Sequence, residues 1–460
     1  MRLPFWCLSL FLVGQRLLPA DINAATCSST DVAAAIALAN SGDRVVVPSG
    51  TCLWASGVTI NKAITVAGQT TTSRDASTYE VTPTDRTTIQ KNGFNVTATS
   101  GVRITGFTFD QSVSGSPSSV IGVPTSVSGM RIDHNHFYYP AGWIWYKTSG
   151  GGYLNILLDN NLIEQPVEES IYIMGAGDTS WTDGGSCSAA DASKMTIIED
   201  NEFTLDTFNV QGPIDSGEGA RFIIRHNRFS APTGYEWQEL IEAHGHCYGQ
   251  RDGWTNAGGY CQVINDNKVY KGTVPNNGNI LFKVRAGRSY VYNNQIYGQG
   301  WAAGSMVYYW IQEVNTTCNA TPCNVAEHAT MGLHANPLAT NWMCTTYPCP
   351  MQPNNSYVWG NSMEFGTFGA SVDDAPTTYM TENRDYWDDF NTASFAKNVS
   401  SSRPGTCVTN SSYWETDTQK LYRCTATNSW TLEYTAFTYP DPLQGGGQVA
   451  APTALMTIVR

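Results

Sequence analysis

The chain has 460 residues, 41% of them hydrophobic and only 14% charged, which is enough apolar material for a sizeable core. Acidic residues outnumber Lys and Arg by 39 to 26, for a net charge of −13, and this argues against a nucleic-acid partner. Gly, Asn, Ser and Thr are abundant and long Leu/Ala/Glu/Lys stretches are missing, so strands and turns are expected over helices.

The first segment, "MRLPFWCLSLFLVGQRLLPADINAAT", has an Arg, an apolar run and small residues near Ala20 or Ala25. That is the pattern of a secretory signal, assigned to residues 1–25, and it predicts a secreted, extracellular protein. The apolar run is too short to span a bilayer, and no later stretch reaches the needed length, so no membrane partner is expected. Without Cys7, eleven Cys remain, and export makes disulfides the expected state. Close spacings suggest Cys27 with Cys52, Cys247 with Cys261, Cys318 with Cys323, Cys344 with Cys349, and Cys407 with Cys424, leaving Cys187 over. Spacing alone does not determine connectivity. Zinc is a rival reading for Cys318, Cys323, Cys344 and Cys349, although the spacing is wider than in usual zinc pairs. Six sequons (Asn95, Asn315, Asn319, Asn354, Asn398 and Asn410) would carry glycans only in a eukaryotic host.

From Asp31 to about Asn40 the sequence predicts a short helix, followed by a strand at Arg44–Val47. "GVTINKAITVAGQ" and "GVRITGFTFD" read as early strand–turn units. Then one pattern recurs: an alternating strand, a polar residue, Asn, any residue, an apolar residue. It occurs as "MRIDHNHF", "NILLDNNLI", "MTIIEDNEF", "FIIRHNRF", "QVINDNKV", "YVYNNQI", "YVWGNSM" and "MTENRDYW". The key residues are Asn135, Asn161, Asn201, Asn227, Asn267, Asn294, Asn361 and Asn383, with steps of 26, 40, 26, 40, 27, 67 and 22 residues. A base period near 26 with insertions means stacked units. Asn suits a left-handed corner, and Asn stacked at one corner can form a hydrogen-bonded ladder.

Three short strands and turns per repeat fit this period. Over roughly residues 30 to 390 the pattern resembles the right-handed parallel β-helix of the pectate-lyase-like superfamily. The resemblance implies an all-β fold: a right-handed single-stranded parallel β-helix with a short N-terminal capping helix. The domain division expected is a coil over 26–400, a small β-hairpin extension over 401–443 stapled by Cys407 and Cys424, and a flexible tail or linker over 444–460. Residues 315–354 carry four Cys and no repeat signal, and read as a disulfide-tied excursion.

A further strand precedes the next Asn corner in several repeats: "GWIWYK", "SIYIMG", "LIEAHG", "LFKVRA" and "MVYYWI". Taking Ile144, Ile171, Ile173, Ala243, Val284 and Ala286 as inward puts Trp143, Trp145, Tyr172, Met174, Glu242, His244, His246, Lys283, Arg285 and Tyr309 outside. Glu242 then stacks beside Lys283, and His244 beside Arg285, with Asp215, Glu218, Arg251 and Arg288 near the margin. Charged ladders on outward faces also serve solubility, and Glu–Lys stacks are ordinary cross-strand pairs. His244, His246 and Glu242 on one strand make awkward metal geometry, so no metal site is assigned.

For function, the resemblance implies a polysaccharide lyase that cleaves an acidic, uronate-containing glycan by β-elimination. The catalytic set would be Lys283 as base, Arg285 as carboxylate clamp, His244 as rival base, and Glu242. The substrate-binding set would be Trp143, Trp145, Tyr172, His246, Arg251, Arg288 and Tyr309, the aromatic members of which suit sugar faces. Many such lyases bind calcium, but no clear carboxylate nest for it is visible and the cofactor is left open. A glycoside hydrolase with Glu242 and Asp215 or Glu218 as its carboxyl pair is the first alternative, although the paired-Asp and Gly-His-Gly signatures of polygalacturonases are missing. A non-catalytic glycan-binding or adhesion protein is the second. Oligomeric state is not determined by the sequence.

Overall fold

The computed structural model describes residues 19–116, 119–140, 143–146, 153–166, 170–175, 187–205, 212–217, 219–231, 240–243, 260–271, 281–284, 287–298, 306–310, 353–373, 381–390 and 394–445. Among these, three parallel sheets of twelve, ten and ten strands wind into one right-handed β-helix. In each sheet the strand of one turn pairs with the strand of the next. One side-chain row per sheet therefore stacks down the interior. In the first sheet this row runs Val45, Val66, Ile104, Ile132, Leu158, Ile198, Ile224, Ile264, Val291 and Val358. In the second it includes Phe109 on Phe137 and Phe203 on Phe229, with ring centroids 5.2 and 4.9 Å apart. Burying one such side chain contributes roughly 1.5–3 kcal/mol, so the repeat of apolar positions drives the coiling.

Seven of the eight expected Asn form the corner ladder. Asn135, Asn161, Asn201, Asn227, Asn267 and Asn294 each pass a side-chain amide to the carbonyl of the next Asn at 2.9–3.1 Å, and the ladder ends at Asn361. Each carbonyl oxygen also accepts the backbone N–H of the Asn one turn before. The left-handed residue is not the Asn itself but the one before it: His134, Asn160, Asp200, His226, Asp266, Asn293 and Gly360 all have positive φ. Asn383 is outside the ladder. It has φ 63° itself and precedes the last strand of the first sheet, Tyr386–Asp388, whereas each ladder Asn follows a strand of that sheet.

The N-terminal helix spans Ser29–Leu38 and lays Val32, Ala35 and Ile36 over the open end of the coil. Ser28 caps its start by accepting the Asp31 N–H at 3.2 Å. At the other end Lys62 Nζ donates to the carbonyls of Ile36, Ala37 and Ala39, placing a cation where the helix dipole favours one. The strand Asp21–Asn23 pairs with Arg44–Val46. The coil therefore begins inside the stretch expected to be a leader, whose residues 1–18 lie outside the described ones.

At the far end, Phe395–Asn398, Ser412–Glu415, Lys420–Ala426 and Ser429–Thr435 form a four-stranded sheet, larger than the expected hairpin. It packs Trp414, Leu421 and Tyr434 against an aromatic stack on the outer face of the first sheet, where Tyr290, Tyr292, Tyr357, Trp359 and Trp387 meet. The chain then runs back along that face. Arg225, paired with Glu199 at 2.7 Å, donates to the carbonyls of Phe437 and Thr438, and Gln444 donates to Glu199 and Asp200. Gln444 is thus held in place, although the flexible tail was expected to start there.

Cys27–Cys52 and Cys407–Cys424 are bonded as expected. Cys261 is bonded to Cys187, not to Cys247. Cys261 opens a strand of the first sheet, and Cys187 precedes the 3-10 turn Ala189–Lys194 that packs on the same face. Stacking of turns joins residues 74 apart in sequence, which spacing alone does not show. Peptide mapping under non-reducing conditions should recover a Cys187–Cys261 peptide pair; finding Cys261 linked to Cys247 would overturn this connectivity. Cys247, Cys318, Cys323, Cys344 and Cys349 lie outside the described residues.

Candidate functional site

The third sheet carries the strands Trp143–Tyr146, Ile171–Met174, Ile214–Gly217, Ile241–Ala243, Phe282–Val284, Val307–Trp310 and Ala370–Asp373. Their apolar alternates fix the register. Ile171, Ile214, Ile241, Phe282 and Val307 stack inward in one row, and Ile173, Ser216, Ala243, Val284 and Tyr309 in another. Between them lies the row Tyr172, Asp215, Glu242, Lys283, Tyr308 and Ser371, one residue per turn, on the outward side of the pleat. Neighbours along such a row are about 4.8 Å apart at the backbone.

Glu242 and Lys283 are therefore in register as the alternation predicts, and Lys283 Nζ lies 3.3 Å from Glu242 Oε1. Asp215, expected only at the margin, is directly opposite Glu242 on the preceding turn. Its Oδ1 accepts the Ser216 N–H at 2.6 Å. Gly217 leaves room for the Tyr172 hydroxyl, since a Cβ there would come within 3.0 Å of it. The row was expected to stand open to solvent, but Glu242 is 7% and Lys283 9% exposed. An ion pair in such shelter is held more strongly than one in water, and it is costly to break.

Five aromatic or basic assignments change. Trp145 is fully buried in the core, opposite Ile171, and Tyr309 packs inward beside Val284. In "MVYYWI" two adjacent Tyr compete for the outward position, and Val307 opposite Phe282 settles it for Tyr308. A slip of one residue exchanges the faces. Trp143 is half-buried at the start of its strand, off the Tyr172 row. Arg288 belongs to the first sheet, where its Nη1 lies 3.5 Å from Glu433 Oε1 in the C-terminal module, so it is not near the row. Tyr172 is on the row but 1% exposed, which removes it as an open stacking platform. His244, His246, Arg251 and Arg285, with Glu218, lie outside the described residues. Among the described residues no three His, Cys, Asp or Glu side chains converge as a metal site.

The second sheet has a titratable cluster of its own. His136 Nδ1 is 3.0 Å from Asp85 Oδ1 and its Nε2 is 2.8 Å from Glu164 Oε2. Burial alone would lower its pKa, but the two carboxylates prevail and raise it from 6.5 to about 9. A histidine raised in the fold stabilises fully below pH 6.5 and loses that contribution as pH rises through about 9. Melting temperature should therefore fall across that window, and His136→Gln should flatten the slope. An unchanged slope in the variant would assign the pH dependence to other groups. The cluster holds a cation between two acids and leaves no nitrogen free for a substrate, so it reads as structural.

The fold is a parallel β-helix, and the third-sheet row sets two acids and a base in register outside the coil. No family model matches the chain, and no curated protein matches it. Among solved structures, an alginate lyase from a Paenibacillus species is similar over 77% of this chain and 99% of its own, at 14% identity and TM-score 0.31. The pectin methyl esterase of rice weevil is similar over 76% of this chain and 92% of its own, at 12% identity and TM-score 0.33. Likeness at this level is not evidence of a shared reaction.

Proposed function

We propose that the chain is a secreted carbohydrate-active enzyme of the pectate-lyase-like type, acting on an extended acidic polysaccharide along the third sheet. The observation that carries this is the row Asp215–Glu242–Lys283: two carboxylates and an ammonium on consecutive turns, in register and away from the core. β-Elimination from a uronate needs a base for the C5 proton and a cation against the substrate carboxylate. Lys283 supplies the cation, and Glu242 or Asp215 can take the proton. This differs from the role first given to Lys283, because its ammonium is engaged by the Glu242 carboxylate. The row repeats along the coil axis at the strand spacing, which suits a substrate that is itself a linear polymer.

A glycoside hydrolase is the second reading, favoured by one specific observation. Asp215 and Glu242 face each other on adjacent turns, and retaining hydrolases hold two carboxyls roughly 5–5.5 Å apart. Incubation with a panel of uronate polymers distinguishes the two. Ultraviolet-absorbing unsaturated products select elimination, and new reducing ends without that absorbance select hydrolysis. Absence of both, with intact polymer throughout the panel, would overturn the enzymatic reading.

A further inference from the structure

The four-stranded C-terminal module packs one face on the coil. Phe395, Trp414, Leu421 and Tyr434 pack on the coil. The other face carries apolar groups that no packing requires: Val408 is 78% exposed and Leu432 50% exposed. Between the loop around Pro404–Ser411 and the turn at Thr427–Asn428 this face opens into a groove of about 640 Å³, within the range of roughly 300–1,000 Å³ of small-ligand sites.

The groove is built, not incidental. Trp430 Nε1 donates to the Pro404 carbonyl at 2.8 Å, which fixes the indole on its edge. The Trp430 ring meets Tyr413 at 6.2 Å between centroids, at 64°. Asn428, with φ 59°, accepts the Cys407 N–H on its side chain and donates its own N–H to the Cys407 carbonyl. The Cys407–Cys424 disulfide ties the loop to the strand beside it. Every lining group is apolar, aromatic, hydroxyl or amide, and none carries a formal charge, in a chain of net charge −13. The nearby Arg403 is already engaged, stacked 3.6 Å from the Tyr422 ring centroid and 3.2 Å from Glu415.

We propose that this groove binds a neutral sugar chain. A fixed indole face covers the C–H face of a pyranose ring, and Thr, Ser and Asn groups match its hydroxyls. With no cation in the lining, a uronate carboxylate would lose its hydration without compensation, so the groove discriminates against acidic glycans. The site is separate from the third-sheet row and stands whether or not that row is catalytic. Its role is attachment to a neutral polysaccharide.

The test is calorimetric titration of the full chain with soluble neutral hexasaccharides (cello-, xylo-, manno- and laminari-series), with hexagalacturonate as the acidic comparison. One neutral series should bind, and Trp430→Ala should weaken it about tenfold or more, the scale of losing one stacked ring. Val408→Ser, on an exposed rim where folding is not at stake, should weaken it several-fold and decides the matter if Trp430→Ala misfolds. The combined Glu242→Gln and Lys283→Met variant should bind the neutral sugar as the parent does, which separates this site from the row. The proposal fails if no neutral hexasaccharide binds, if both groove variants bind unchanged, or if hexagalacturonate competes equally. It also fails if the parent sediments as a dimer that Trp430→Ala dissociates, since the groove would then be a self-interface.

Discussion

Lys283→Ala and Glu242→Gln should each lose cleavage of a uronate polymer by about a hundredfold or more, the usual contribution of a positioned acid–base or charge-stabilising group. Each should also cost about 3–5 kcal/mol of stability, because it leaves its partner's charge sheltered and uncompensated. That second effect follows from burial: both residues are at least nine-tenths covered although they point away from the coil. Loss of activity in a single variant is therefore ambiguous between a broken site and a broken fold. The informative protein carries both Glu242→Gln and Lys283→Met. A neutral pair of similar volume should recover most of the lost melting temperature, since replacing a buried ion pair is often close to neutral. It should recover none of the turnover. If the double variant regains cleavage along with stability, the row is scaffold and the proposed chemistry lies elsewhere.

The second large effect belongs to the Asn ladder. The Asn227 Oδ1 accepts both the N–H and the side-chain amide of Asn201, at 3.0 and 3.1 Å. Its Nδ2 donates to the carbonyls of Ile198 and Arg225 and to Asn267 Oδ1. Asn227→Ala strands the Asn201 N–H in a dry corner and removes the donor to two carbonyls. At about 1–3 kcal/mol for each buried group left unsatisfied, the loss should be about 3 kcal/mol or more. Asn227→Asp tests the mechanism more sharply. It keeps the shape and the acceptor but aims an anion at the carbonyls of Ile198 and Arg225, so it should be no milder than Ala. Asn383→Ala, outside the ladder, is the comparison and should shift the urea midpoint far less. Equal shifts at Asn227 and Asn383 would mean that the ladder contributes no more than an ordinary turn.

The repeat itself was legible because each unit writes its own turn: an alternating strand, a corner residue, a buried Asn. Those signals are local, and every turn restates them. Seven Asn fell into one ladder on that basis, and Asn383 did not, because there the same short pattern stands before a strand of the first sheet, Tyr386–Asp388, instead of after one. The corner conformation was placed one residue late, since the Asn needed for hydrogen bonding and the residue needing positive φ are neighbours with overlapping preferences. The Glu242–Lys283 register was legible for the same reason as the ladder. Asp215 had a signal that could have found it: Ile214 before it aligns with Ile241, as Glu242 follows Ile241.

By itself, the sequence determined the coil, its period, its capping helix, its apolar interior and the pairing of one acid with one base. All of these follow from alternation and repeat length, which act over a few residues. Only the tertiary structure decided which side of the pleat Trp145 and Tyr309 take, because a single-residue slip reverses the face and two adjacent aromatics give alternation nothing to choose between. Only it joined Cys187 to Cys261, placed the C-terminal module on the outer face of the first sheet, and sheltered the ionic row. Each of these is a meeting of segments far apart in the chain, set by how many turns intervene and by which outer surfaces have apolar area left to bury.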